Sequence, residues 1–155
     1  MAQQGFDISR LTMGQKTLLI TGLVFLVTLF FPWESFDVGG LPGFDLPGVN
    51  ISGWNGIGVL AGILAILLLV WELMLMAGVN LNLNVSEALI SAGLAAATVL
   101  FGLIRFIIAL TRSGYGIAWG AWVGLIVLLA MAYGAWVRFN ESKAMGMPPP
   151  APPAA

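Results

Sequence analysis

Cysteine and histidine are both missing from the 155 residues of this chain. Without cysteine there is no disulfide, thiolate nucleophile, iron–sulfur ligand or cysteine zinc site. Without histidine the chain also lacks the commonest metal ligand and general base. Sequence patterns of metalloproteases, serine hydrolases, P-loop and dinucleotide-binding proteins and c-type haem proteins are absent too. We therefore predict that the protein is not an enzyme and holds no cofactor or metal.

Charged residues are scarce as well. They make up 8% of the sequence, and 59% of the residues are apolar, whereas about a quarter of a soluble domain is charged. The formal net charge is −1, so there is no excess of basic groups to neutralise a phosphate backbone. This composition excludes a water-soluble fold, makes nucleic acid an unexpected partner and predicts a lipid bilayer around the protein.

Four apolar stretches are long enough to be helices that cross a bilayer, for which roughly 20 residues are needed. Ser86 is the expected N-cap of the third helix. The fold class we predict is an all-α membrane protein, a compact four-helix transmembrane bundle spanning residues 17–137. The four helices are expected over residues 17–33, 56–77, 88–110 and 116–137.

The remaining segments are short. Residues 1–16 are expected to be a juxtamembrane segment, and the first helix to be retained because no small-residue cleavage site follows it. The loop 34–55 is rich in Gly and Pro, which predicts turns rather than a regular element, lying over one end of the helices. The tail 138–155 ends in Pro and Ala alone and is predicted to be disordered from about residue 145.

Basic residues in short flanks predict the orientation, because they stay on the cytoplasmic side. Arg10 and Lys16 precede the first helix, and Arg138 and Lys143 follow the fourth. The loop 34–55 carries acidic residues but no basic one, so both termini are predicted to be cytoplasmic and this loop to lie outside. The short third connection would also lie outside in this orientation. It carries the basic residue Arg112, which opposes the assignment.

Small or weakly polar residues recur at helical spacing on the predicted helices, and such residues let membrane helices approach closely. We expect them to face inward and to pack the helices within one chain rather than between two copies. The packing candidates are Gly58, Gly62, Ser91, Gly102, Gly116, Gly120 and Gly124.

Two ionisable residues lie inside predicted spans, where charge is costly and often functional. Glu72 is close to the cytoplasmic end of its helix and Arg105 to the outer end of the next, which separates them too far in depth to pair. Lys16 is the expected partner of Glu72, and Glu34 or Asp37 that of Arg105. Two interpretations stay open, a structural ion pair for each residue or a proton or ion site at Glu72.

Trp33 and Trp54 bracket the outer loop. Tryptophan is enriched at membrane interfaces, so both residues are expected to be interfacial anchors. The alternative is that the loop between them is a docking surface.

Short motifs extend this interpretation. The segments Ile8-Ser9-Arg10-Leu11-Thr12, Phe31-Pro32-Trp33 and Ser52-Gly53-Trp54-Asn55 resemble those of small four-span membrane proteins of actinobacteria and related bacteria. The resemblance implies a bacterial cytoplasmic membrane and transfers no catalytic residue.

The leading functional hypothesis from the sequence is a non-enzymatic integral membrane protein. It would act as an accessory or scaffold subunit, through helix packing and its outer loop, with other membrane proteins or itself as partners. The alternative is a small transport protein for a proton, cation or solute that uses Glu72.

Overall fold

The computed structural model describes residues 11–37, 48–79 and 83–145. Four helices dominate it, and a small three-stranded sheet lies at one end. In chain order the elements are α1 (Met13–Leu29), β1 (Pro32–Phe36), β2 (Val49–Ser52), α2 (Gly58–Met76), α3 (Glu87–Thr111), β3 (Gly116–Ile117) and α4 (Trp119–Met145).

Each helix packs against the next in the chain, and α4 also packs against α1, so the four close into a ring. The interior contains Leu18, Phe25, Leu68, Leu128 and Met131, all fully buried. The outward positions are apolar too, as at Ile20, Leu23 and Ile126. A soluble protein rarely exposes apolar surface of this extent, so the helical part has a hydrophobic exterior as well as a hydrophobic core.

Three helices, α2, α3 and α4, are long and apolar enough to cross a membrane among the residues that the structure describes, while α1 is a shorter apolar helix of 17 residues. The predicted bounds of α2 and α3 are right to within two residues. Ser86 is confirmed as the N-cap of α3, because its hydroxyl accepts a hydrogen bond from the Leu89 amide.

Helix α1 lies one turn earlier than predicted. Its N-cap is Thr12, whose side chain accepts from the Gln15 amide while the Gln15 side chain accepts from the Thr12 amide. This reciprocal capping box fixes the start of the helix. The helix ends at Leu29. Trp33, which we predicted to be its last residue, lies in strand β1 instead.

Helix α4 runs from Trp119 to Met145, past the predicted end at residue 137. Its extra turns carry Arg138 and Glu141, which are bonded to other helices, so tertiary contacts hold this polar extension in helical form. Two predicted segments lie outside the described residues. They are the disordered tail, residues 146–155, and the first part of the juxtamembrane segment, residues 1–10.

The sheet was not predicted. Its order is β2-β1-β3, with both pairings antiparallel. The pairing of Glu34 with both Ile51 and Ile117 makes β1 the central strand. We define the cap as this sheet together with the adjoining turns, residues 30–37, 48–57 and 112–118. The Gly/Pro-rich composition hid the two strands of the first connection, and the expectation of an all-α fold with only turns here was wrong.

Candidate functional site

Charged side chains, most of them buried, are gathered at the two ends of the helical ring. We call the group beneath the sheet the cap cluster, formed by Glu34, Arg105 and Arg112. The group at the opposite end is the four-helix cluster, formed by Glu72, Ser91, Arg138 and Glu141.

Glu34 is the centre of the cap cluster. It lies on the middle strand, is fully buried, and accepts hydrogen bonds from the guanidinium groups of Arg105 and, at 3.1 Å, Arg112. Arg105 also donates to the Ser52 carbonyl on β2 at 3.3 Å. One carboxylate thus links the middle strand to α3, and one arginine links α3 to the edge strand.

The predicted pairing of Arg105 is confirmed for Glu34. The arginine is buried, with 2% of its surface exposed, and its guanidinium carbon lies 5.8 Å from the centroid of the Trp33 ring. Arg112, in contrast, is about half exposed and lies over the Tyr115 ring at 4.6 Å. Arg112 thus shares the Glu34 carboxylate with Arg105, so the cap cluster as a whole keeps one net positive charge.

Arg138 is the centre of the four-helix cluster. Its Nη2 donates to Ser91 Oγ on α3 at 3.2 Å, and its Nη1 donates to Glu141 Oε2 one turn along α4 at 3.0 Å. Its Nε lies 3.7 Å from Glu72 Oε1 on α2, an ion pair beyond hydrogen-bond distance. Only 3% of Arg138 is exposed, so this guanidinium is held by its partners rather than by water.

Helix α1 joins this cluster through Glu141. The two carboxylate oxygens of Glu141 accept hydrogen bonds from the Gly14 amide at 3.2 Å and from the Thr12 hydroxyl at 3.0 Å. A carboxylate is favoured at a helix N-terminus, where free amide groups and the helix dipole attract negative charge. Gly14 also has to be small, since a Cβ there would lie 2.6 Å from Arg138 Cδ. All four helices therefore meet in this one cluster.

The predicted pairing of Glu72 with Lys16 is wrong. Arg138 is the ion-pair partner of Glu72, while Lys16 is exposed on α1. The sequence placed Arg138 in a cytoplasmic flank because it follows the last apolar stretch. The longer α4 carries it inward instead, and neither Arg138 nor Glu141 was singled out as a site residue.

The two clusters are opposite in charge composition. In the four-helix cluster two carboxylates share one guanidinium, and in the cap cluster two guanidiniums share one carboxylate. Glu72 is the least satisfied member, since neither of its carboxylate oxygens has a hydrogen-bond partner among the described residues. The Nε atoms of Arg105 and Arg138 likewise have no hydrogen-bond partner among the described residues.

Most of the predicted packing glycines contact the cap rather than another helix. On α2, a Cβ on Gly58 would collide with the Gly53 carbonyl, and one on Gly62 with the Trp54 ring. On α4, a Cβ on Gly120 would collide with the Pro32 carbonyl. The backbone and tryptophans of the cap therefore occupy the space that these glycines leave.

Two of the remaining candidates do lie at helix–helix contacts. Gly102 on α3 faces Leu128 of α4, with 2.7 Å from its Cβ position to the leucine, and Ser91 bonds Arg138. Gly116 was wrongly assigned to helix packing. It lies in β3, is exposed, and has no Cβ contact closer than 3.5 Å.

Trp33 is neither an interfacial anchor nor a docking residue, because it is fully buried. Its Nε1 donates to the Thr28 carbonyl at 2.9 Å, and its ring packs edge-on against Phe25 at a centroid distance of 6.4 Å. Trp54 is partly buried and lies edge-on against Phe30 at 5.6 Å. Trp33 therefore attaches the cap to α1, and Trp54, whose ring lies against Gly62, attaches it to α2.

Within the described residues there is no group of three or more Asp and Glu side chains placed to hold a metal ion. Comparison of the chain with protein-family models, with curated proteins and with solved structures finds no match.

Proposed function

We propose that the protein is a non-enzymatic integral membrane protein, a four-helix transmembrane bundle that acts as an accessory or scaffold subunit by presenting its cap to a partner. The observation that carries this proposal is the fixed cap. A fully buried Trp33 and Glu34 hold the middle strand down, while the edge strand β2 exposes Val49 and Asn50.

A sheet edge that is held in place can bind an extended segment of another chain by adding a strand. Rigid attachment lowers the entropy lost on binding. Among the described residues, edge strand β2 pairs with β1 on one side and with no strand on the other, and half of the Val49 side chain is exposed. These features suit a surface for protein association.

The apolar exterior of all four helices supports membrane insertion. Helix α1, at 17 residues, is about 26 Å long, somewhat less than the roughly 30 Å of a hydrocarbon core. The adjoining strand β1 can complete the crossing, because sheet partners on both sides bond its backbone and non-helical backbone is tolerated at membrane depth where protein covers it.

We propose that the membrane is the bacterial cytoplasmic membrane, with both termini inside and the cap outside. The exposed Lys16 and Lys143 at the end opposite the cap support this orientation under the positive-inside rule. The test uses single cysteines at Asn50 and Met145, because the chain has none of its own. A membrane-impermeant maleimide applied to intact spheroplasts should label Asn50→Cys and not Met145→Cys. Labelling of Met145→Cys alone would show that the orientation is the opposite one.

The association proposal is tested by gentle detergent extraction from native membranes. We expect a stoichiometric partner to co-purify with the native protein and with Ile126→Ala, a control at an exposed α4 position. The same partner should be lost from Val49→Asp, which puts a charge on the edge strand without touching the buried cap residues. Recovery of the protein alone in all three preparations would reject the accessory role.

Transport is the second candidate, and one observation favours it. Glu72 is fully buried, yet neither carboxylate oxygen has a hydrogen-bond partner among the described residues. A buried carboxylate of this kind can take up a proton. Proton or cation flux into liposomes containing the purified protein, abolished by Glu72→Gln and kept in Glu87→Gln at an exposed position, would support transport and displace the first proposal.

A further inference from the structure

A groove lies between α3 and α4 at the end opposite the cap, where α3 begins and α4 ends. We call it the α3–α4 groove. Its walls include Leu89, Gly93 and Ala96 from α3, and Ala135, Trp136 and Phe139 from α4. The cavity volume is about 470 Å³, within the range of small-molecule sites, and the lining is almost entirely apolar.

Gly93 keeps one wall of the groove open. A Cβ at this position would meet no atom within 4 Å, unlike the glycines that the cap or a neighbouring helix fills. The space beside Gly93 is therefore not occupied by any described part of the chain, and a larger side chain could be added there without a clash.

A cation lies beside the last wall residue of the groove, towards the end of α4. The ammonium group of Lys143 is 4.4 Å from the centroid of the Phe139 ring, and Phe139 is a wall residue. Because the two are four residues apart on α4, they share one helix face. Of the neighbouring acidic groups, Glu141 is engaged by Arg138 and the start of α1, and Glu87 is exposed in the first turn of α3.

The dimensions suit an acyl chain better than a helix. From Leu89 to Ala96 the wall spans eight residues, a rise of about 10 Å over seven steps of 1.5 Å. A helix with its side chains is itself about 10–12 Å wide and packs along many turns. A narrow, flexible hydrocarbon chain can lie in a groove of two turns while the rest of its molecule stays in the bilayer.

We infer that the α3–α4 groove is a phospholipid site, in which one acyl chain lies along Gly93 and Ala96 and the phosphate group meets Lys143. The lysine beside Phe139 suits the charged phosphate of a lipid at the membrane surface, and the apolar lining suits its acyl chain below the surface. The inference rests on the membrane location in the proposed function but not on the accessory role.

The test is native mass spectrometry of the full chain, purified in detergent and supplied with dioleoyl phosphatidylglycerol. Gly93→Leu fills the groove, and its control Ala130→Leu introduces the same side chain at an exposed position of α4. We expect a loss of about tenfold in affinity for Gly93→Leu and no change for the control.

Lys143→Gln removes the cation, and its control Lys16→Gln removes an exposed lysine from α1. We expect Lys143→Gln to weaken phosphatidylglycerol binding by about threefold to fivefold, as for an exposed ion pair. Binding of dioleoylglycerol, which has the chains but no phosphate, should be the same in the native protein and in Lys143→Gln.

Equal lipid retention by Gly93→Leu and Ala130→Leu would overturn the inference. So would a dimer that Gly93→Leu converts to monomer, because a second copy would then occupy the groove. Recovery of the protein in the soluble fraction without detergent is a different failure, which would reject the membrane location itself.

Discussion

The indole ring of Trp33 occupies the space that Gly124 leaves open on α4. A Cβ at Gly124 would lie 2.6 Å from Trp33 Cζ2, closer than side-chain atoms approach. The glycine is thus matched to an aromatic residue of the cap, more than 90 positions earlier in the chain, and not to a backbone of another helix.

We predict that Gly124→Ala destabilises the protein by about 1–3 kcal/mol, the cost of overpacking a filled core. The matched control is Gly93→Ala, where the added methyl group meets nothing. That change should be neutral or stabilising by up to about 1 kcal/mol, because alanine favours the helix over glycine. The measurement is the free energy of unfolding in mixed micelles, and equal effects of the two substitutions would contradict the contact.

The two arginines of the cap cluster should differ in their contribution. Arg105 has a side chain 3% exposed and Arg112 one 43% exposed, and both bond Glu34. Arg105→Met removes a buried partner and should cost about 3–5 kcal/mol, while Arg112→Met should cost about 0–1 kcal/mol.

Hydrogen exchange of the β1 amides gives a local readout of the same pair of variants. We expect faster exchange over residues 32–36 in Arg105→Met and little change in Arg112→Met. Equal destabilisation by the two variants would contradict the prediction, because it would mean that both arginines contribute equally to stability.

A double-mutant cycle tests the partner of Glu72. Glu72→Gln and Arg138→Met should be coupled by about 0.5–3 kcal/mol, as neighbouring charges are. Glu72→Gln combined with Lys16→Gln should be additive, since Lys16 is exposed and Arg138 is the residue paired with Glu72. Coupling to Lys16 instead would restore the pairing predicted from the sequence.

The start of α1 depends on Thr12, which caps the helix and also donates to Glu141. Thr12→Ala should cost about 0.5–2 kcal/mol, the usual loss for an N-cap. Thr12→Ser keeps the hydroxyl and should recover most of that stability. Thermal unfolding of the three proteins in one detergent measures the order, and a Ser variant as unstable as the Ala variant would argue against the cap.

The four described helices and the bounds of α2 and α3 could be predicted because apolar length and N-cap residues are local signals. The Thr12-x-x-Gln15 pattern was a local signal as well, and would have located the start of α1. Arg138 could not be placed in the same way. A polar side chain after an apolar stretch is indistinguishable in sequence from a solvated flank until Glu72 and Ser91 are known to face it.

The role of the glycines could not be predicted from the sequence either. Spacing of four residues indicates that Gly120 and Gly124 share a face of α4, but it does not say what fills that face. Since the strand β1 was hidden by its Gly/Pro-rich surroundings, a helix was the natural candidate. The occupant is the segment from Phe31 to Trp33.

The pairing of β1 with β3 constrains the order of events during synthesis. Glu34 is made early, but its sheet partner Ile117 and its two arginines are made only after α2 and most of α3. The observed pairing of Glu34 therefore cannot form until the second half of the chain has been made. Closure of the sheet is in this way a late step of folding, and a nascent chain shorter than 117 residues lacks the strand that completes it.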